Sequence, residues 1–173
     1  MLFRSMDQGA DVIDIGMVST DQYYFACATL GHPGIMITAS HNPPEYNGFK
    51  MVKNMPQLLS GEEGIQDLRK LAQGGVWPTP LRTGTRTEQD LRQPFTEKII
   101  SLIDRTAFKP MKILIDTANG MVGPAMTDIM KHIPMISMTG MYLEPNGATP
   151  HHGLDPLQPA NRAELQHRVV AEG

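Results

Sequence analysis

Three side chains in one short stretch can do chemistry together: the hydroxyl of Ser40, the imidazole of His41 and the ammonium of Lys50. They lie in Thr38-Ala39-Ser40-His41-Asn42-Pro43-Pro44-Glu45-Tyr46-Asn47-Gly48-Phe49-Lys50, whose Asn47-Gly48 pair is the strongest short turn signal of the chain. A hydroxyl becomes a nucleophile once a base takes its proton, an imidazole does that near neutral pH, and a lysine stabilises developing anionic charge. The turn can bring Lys50 back toward Ser40, while Pro43 and Pro44 stiffen the loop and lower the entropy lost in ordering it. Residue types alone leave a plainer reading open, because most Ser-His neighbours and strand-end lysines are solvated surface groups. A serine hydrolase is disfavoured: Ala39-Ser40-His41 is no Gly-x-Ser-x-Gly elbow, and adjacent residues seldom place a histidine to act on its neighbour. No Gly-x-x-x-x-Gly-Lys-Ser/Thr loop is present to cradle a nucleotide.

The elements that must carry this loop alternate between strand and helix. Residues 11–18 read as a strand; Ser19 or Thr20 can cap a helix over 21–30 that stops at Gly31. A second strand over 34–38 puts the loop at a strand's C-terminal end, where open α/β sheets bind ligands. Residues 49–52 resume as a hairpin partner. Gly61-Glu62-Glu63-Gly64 then opens a helix through Ile65, Leu68 and Leu71, closed by Gly74-Gly75. Periodicity disappears over 76–89, a connector where the domain boundary is placed. Beyond it come a helix over 90–106 with Phe95, Ile99, Leu102 and Ile103 on one stripe, a strand over 111–115, and a helix over 123–133. A strand over 134–142, a polar loop over 144–161 and a helix over 162–172 complete the chain. This order predicts an α/β fold with mixed, largely parallel sheets flanked by helices, although two strands are few for the second unit.

Composition narrows the function classes. With 173 residues, 40% hydrophobic and 19% charged, the chain has apolar surface to bury and too little charge for disorder. Fifteen Lys and Arg against 18 Asp and Glu leave a net charge of −3 and no basic stripe, which argues against nucleic acid or an anionic membrane as partner. The single cysteine, Cys27, excludes an internal disulfide and sits without zinc-site spacing, so a reducing cytoplasm is expected. No apolar run approaches the roughly 20 residues of a membrane span, and the first residues do not read as a signal peptide. Met121, Met126, Met130, Met135, Met138 and Met141 crowd one region and read as core filling. The His151-His152 pair lacks a third ligand for zinc and reads as a structural part of its loop.

The stretch Thr38-Ala39-Ser40-His41-Asn42-Pro43, extended by Tyr46-Asn47-Gly48-Phe49-Lys50, closely resembles the active-site serine loop of the α-D-phosphohexomutases, the family of phosphomannomutase, phosphoglucomutase and phosphoglucosamine mutase. Asp14-Ile15-Gly16 through Ser19-Thr20-Asp21 with Tyr24-Phe25 is similar to the first-domain strand and helix of the bacterial phosphomannomutases. Ile115-Asp116-Thr117-Ala118-Asn119-Gly120-Met121, Glu144-Pro145-Asn146-Gly147 to His152, and Asp155-Pro156-Leu157-Gln158-Pro159 resemble that family's second domain. The resemblance covers nearly the whole chain. It implies two incomplete phosphohexomutase-type domains: 1–85, holding the serine loop but lacking the front strand, and 86–173, stopping before the Asp-Gly-Asp-x-Asp-Arg metal loop.

By the same resemblance Ser40 is phosphorylated and hands its phosphoryl group to a hexose phosphate, then takes one back from the hexose 1,6-bisphosphate intermediate. Its phosphate is one ligand of Mg2+, so Ser40 is also the metal-binding residue. Lys50 stabilises the transferring group, His41 assists proton transfer, and Asn42 shapes the loop. Mannose is the expected sugar, with glucose second, and the chain alone is expected to be inactive. Three other readings remain open: a non-catalytic module that self-associates through exposed sheet edges, a phosphoglucosamine mutase fragment, and a phosphoprotein modified by another enzyme.

Overall fold

The computed structural model describes residues 2–43, 45–54, 57–61 and 64–172. Its contacts divide the chain into one unit of Met1–Met36 with Lys50–Leu91 and a second of Ile37–Phe49 with Arg92–Gly173. Three small sheets are present among the described residues, parallel and antiparallel, each with helices in the same chain segments.

The first unit opens with α1 (Leu2–Asp7) and β1 (Val12–Asp14). β1 is shorter than the apolar run over 11–18 predicts. Asp14 Oδ1 accepts the Gly16 N–H at 2.9 Å and Gly16 turns at φ +72°, which ends the extended backbone. The next helix, α2 (Thr20–Leu30), begins where its cap dictates. Ser19 Oγ accepts the Gln22 N–H at 3.2 Å and the Gln22 side chain accepts the Ser19 N–H at 2.9 Å, a reciprocal capping box. Gly31 closes the helix in the left-handed conformation at φ +65°. The inner face of α2 buries Tyr23, Ala26 and Cys27. Tyr23 and Cys27 form the core with Val52, and Val18, Tyr24 and Met36 pack against it. Burial pushes the Cys27 thiol up, so this lone cysteine is a core side chain rather than a nucleophile.

A three-stranded sheet of β2 (Gly34–Ile37), β3 (Phe49–Asn54) and β4 (Gln57–Leu58) follows, in that spatial order, with β3 and β4 antiparallel. The Tyr23 hydroxyl fastens α2 to it, lying 2.8 Å from the Gly34 carbonyl and 3.1 Å from the Lys50 carbonyl. Tyr23→Phe removes that donor from two carbonyls beside the core. It is expected to cost about 1–2 kcal/mol, read as a lower urea midpoint at unchanged slope; an unchanged midpoint would show that the bonds contribute nothing net.

Helix α3 (Ile65–Gly74) ends on Gly75 at φ +64°, as the Gly74-Gly75 pair predicts; Glu62 and Glu63, which the sequence places at its opening, lie outside the described residues. Residues 76–83 are exposed and irregular. The connector then yields a strand that periodicity does not predict, β5 (Arg86–Glu88), parallel to β1 with Val12 opposite Arg86 and Asp14 opposite Glu88. Charge rather than apolar alternation holds it. Arg82 forks onto Asp11 at 2.8 and 2.6 Å, Thr85 donates to Asp11 through both N–H and hydroxyl at 2.9 Å, and Arg86 reaches Asp14 at 2.6 Å. The Arg82 bonds, with those of Thr85, hold the Asp11 carboxyl well below the usual carboxylate range.

The second unit continues from the Ile37–Phe49 loop with α4 (Arg92–Ser101), which buries Phe95 and Thr96. The helix stops short of residue 106. Asp104 Oδ1 takes the Thr106 N–H at 2.9 Å and its hydroxyl at 2.6 Å, starting a separate 3-10 turn at Arg105–Ala107 and leaving Leu102 67% exposed. The strand β6 (Met111–Asp116), the helix α5 (Val122–Met130) and the strand β7 (Ile136–Met141) then form a parallel crossover, in register from Met111 opposite Ile136 to Asp116 opposite Met141. α5 packs against α4 and β7, and the last helix, α6 (Pro159–Glu172), against β6. The methionine-rich stretch fills this interior unevenly: Met141 is buried, Met126, Met130 and Met138 are half-buried, and Met135 is 44% exposed.

The cores are thin. The chain exposes 12039 Å², against about 10,000 Å² for two separate compact units of half its mass. Among the described residues no helix is long and apolar enough to cross a membrane.

Candidate functional site

The serine loop leaves the C-terminal end of β2 and is closed by its own backbone. The Thr38 N–H donates to the Gly48 carbonyl at 2.9 Å. A Cβ on Gly48 would stand 2.7 Å from the Thr38 carbonyl oxygen, so only glycine allows this closure. Inside it, Thr38 Oγ1 accepts the Ser40 N–H at 3.1 Å. The Ala39 carbonyl takes two bonds from Asn42, one from its N–H at 3.1 Å and one from its side-chain amide at 2.8 Å. Asn42 therefore works inward, on the shape of the loop. The Tyr46 N–H closes a further turn onto the Pro43 carbonyl at 3.0 Å, and Pro44 lies outside the described residues.

These bonds hold Ser40 at φ +56°, a left-handed backbone that non-glycine residues rarely adopt. Strain of this kind persists only where the surroundings over-determine it, and it clusters at functional positions. Ser40 and His41 are both exposed, and Ser40 Oγ lies 3.0 Å from His41 Nδ1. The neighbours thus reach the nucleophile-to-base distance that their adjacency in sequence argues against. The left-handed turn at Ser40 is the feature that residue order alone does not disclose.

Lys50 is placed by different means. It sits on β3 in the first unit, half-buried, with its carbonyl fastened to the Tyr23 hydroxyl. Its ammonium makes no ion pair among the described residues. Residue type alone did not single out Asp155. Its carboxyl is held below the usual range first by the Leu157 N–H at 2.9 Å, then by the Gln158 amide at 3.2 Å. Asp155 and His41 both belong to the second unit, 114 positions apart in sequence.

The described residues contain no group of three His, Cys, Asp or Glu side chains able to hold a metal. The donor suited to a hard cation in the loop is the exposed Ser40 oxygen, which would become a strong ligand once esterified with phosphate. In the His151-His152 pair, His152 bonds to the Gly153 carbonyl and to Asp116 at the end of β6, and His151 stacks on Tyr142 just after β7.

The family model for phosphoglucomutase/phosphomannomutase, alpha/beta/alpha domain I, matches residues 4–73. The phosphomannomutase of Salmonella montevideo is 32% identical over 96% of this chain, and the phosphoglucomutase of Neisseria meningitidis is 35% identical over 92% of it. A solved phosphoglucomutase/phosphomannomutase family protein from Burkholderia thailandensis superposes with a TM-score of 0.82 at 31% identity over 96% of this chain. The chain spans 38% of the length of the Salmonella relative, 34% of the Neisseria one and 37% of the Burkholderia chain.

Proposed function

From a chain whose residues 4–73 match the model of phosphoglucomutase/phosphomannomutase, alpha/beta/alpha domain I, we propose that the protein is a hexose-phosphate mutase. It interconverts hexose 6-phosphate and hexose 1-phosphate, with mannose first and glucose second as the sugar. Ser40 is the phosphoryl carrier and a hexose 1,6-bisphosphate is the intermediate. The observation that supports this most is the exposed Ser40 hydroxyl, on a strained loop at a strand's C-terminal end, 3.0 Å from the imidazole of His41. The reading treats residues 1–85 as one enzyme domain and 86–173 as the opening of the next, at work in the cytoplasm.

In the forward step the bond between phosphorus and the Ser40 oxygen breaks as one to a sugar hydroxyl oxygen forms. The hydroxyl proton ends on the Ser40 oxygen, and His41 Nδ1, at hydrogen-bond distance from that oxygen, carries it there. The return step reverses this: His41 withdraws the Ser40 proton as the second phosphate of the bisphosphate comes back to the serine. Lys50 contributes positive charge to the transferring group. Mg2+, held in part by the Ser40 phosphate oxygens, would supply further charge stabilisation when bound.

Replacing the matching 38% of the Salmonella montevideo phosphomannomutase with this chain tests the reading. The chimera is expected to convert mannose 6-phosphate to mannose 1-phosphate. A chimera that folds, by circular dichroism and a cooperative melt, yet turns over neither mannose nor glucose phosphate would contradict it.

A further inference from the structure

The histidine pair that the phosphoryl-transfer reading leaves unused belongs to a cluster at the C-terminal ends of β6 and β7. His152 Nε2 lies 3.0 Å from Asp116 Oδ2, with the two side chains 18% and 8% exposed, and His152 Nδ1 lies 2.8 Å from the Gly153 carbonyl. The Gly153 carbonyl and an ionised Asp116 carboxylate only accept hydrogen bonds, so a ring protonated on both nitrogens satisfies the two contacts at once. Burial alone would lower the ring's affinity for the second proton. The Gly153 carbonyl and the Asp116 carboxylate outweigh burial and hold the ring above the usual histidine value.

The groups facing the ring come from several elements: Asp116 at the end of β6, Tyr142 just after β7, Glu164 on α6, and His151 alongside. Tyr142 stacks on His151 at 4.1 Å and donates its hydroxyl to Glu164 at 2.6 Å, a bond that pushes its phenol up to about 12. It therefore stays neutral wherever His152 titrates. The backbone below is strained, with Ala118, Asn119 and Tyr142 at φ +47°, +56° and +53°. Asn119 ties the same loop a second time: its side chain donates to the Glu144 carbonyl at 2.9 Å and accepts the His151 N–H at 3.0 Å, and its carbonyl accepts the Asn146 N–H at 2.8 Å.

We propose that Asp116 and His152 form a proton-operated latch on residues 144–155, tightest while the ring carries both protons and weakened when one is lost. Loss of one proton sets a ring-nitrogen lone pair against an oxygen lone pair, and the strain at residues 118, 119 and 142 favours opening. The sign follows from a folded value raised above the unfolded one. The latch stabilises the loop fully below the ordinary histidine value of about 6.5, and that contribution is lost as pH rises through the higher folded value. The device does not depend on the phosphoryl-transfer reading.

Ring 15N chemical shifts of His152 in the 173-residue chain decide the matter. Both nitrogens are expected to be protonated at about pH 6.5, with a titration midpoint above that ordinary value. Asp116→Asn should bring the midpoint down to the ordinary value or below, and protection of the Asn146 and His151 amides should fall through the wild-type midpoint. An unprotonated Nε2 at that pH, or a midpoint that Asp116→Asn leaves in place, overturns the proposal. Should Asp116→Asn fail to fold, the wild-type ring shifts still decide, and His152→Gln should flatten the pH dependence of loop protection.

Discussion

Ser40→Ala is expected to abolish turnover in the chimera that carries this chain, by roughly 10^6-fold, the scale of loss when an enzyme is deprived of its nucleophile. The size follows from the role. A serine that both gives and receives the phosphoryl group has no substitute in alanine, and no other hydroxyl shares its strained turn and its 3.0 Å contact with an imidazole in this loop. The replacement should leave the fold intact, because the Ser40 side chain is exposed and the loop is closed by the Thr38–Gly48 and Ala39–Asn42 bonds. A variant that melts with the parent and retains more than a trace of its rate would remove Ser40 from the mechanism.

The second large effect is expected at His41. His41→Ala should lower kcat by about 10^2–10^4-fold, the range for a positioned general acid or base, with substrate affinity little changed. Its imidazole is exposed, so a loss of stability is not the expected cause. The wild-type rate should also carry a pH limb that the variant lacks, because the residue that takes and returns the proton is gone. Equal rates with an unaltered pH profile would mean that the Ser40–His41 contact is a resting hydrogen bond with no part in transfer.

How much of this was legible depended on whether the cause was local. α2 could be read because its capping box, Ser19 with Gln22, and its Gly31 stop lie within 13 residues of each other and act on neighbouring backbone. β5 could not. Arg86-Thr87-Glu88 has no apolar alternation, and its pairing depends on Asp11 and Asp14, more than 70 positions earlier. The helix expected over 90–106 was cut at Ser101 by a competing cap, Asp104, which apolar spacing does not weigh.

The site divides in the same way. Its residue types and the Gly48 that closes the loop are visible in sequence order, and the resemblance to the phosphohexomutase serine loop rests on them. Asn47 and Gly48 form no tight turn of their own; the loop closes instead through the Thr38–Gly48 backbone bond. The left-handed backbone that joins Ser40 to His41 is a property of conformation, and the placing of Asp155 in the unit of His41 a property of folding. The latch is a further case, since its partners stand 36 positions apart.

The central claim is that Ser40 carries the phosphoryl group. Incubating the chimera with glucose 1,6-bisphosphate and Mg2+, then mapping phosphate by peptide mass spectrometry, tests it most directly. A single phosphate on Ser40, chased off by unlabelled hexose monophosphate, is the predicted result. Phosphate on another residue, or a chimera that turns over while Ser40 never becomes labelled, would contradict it.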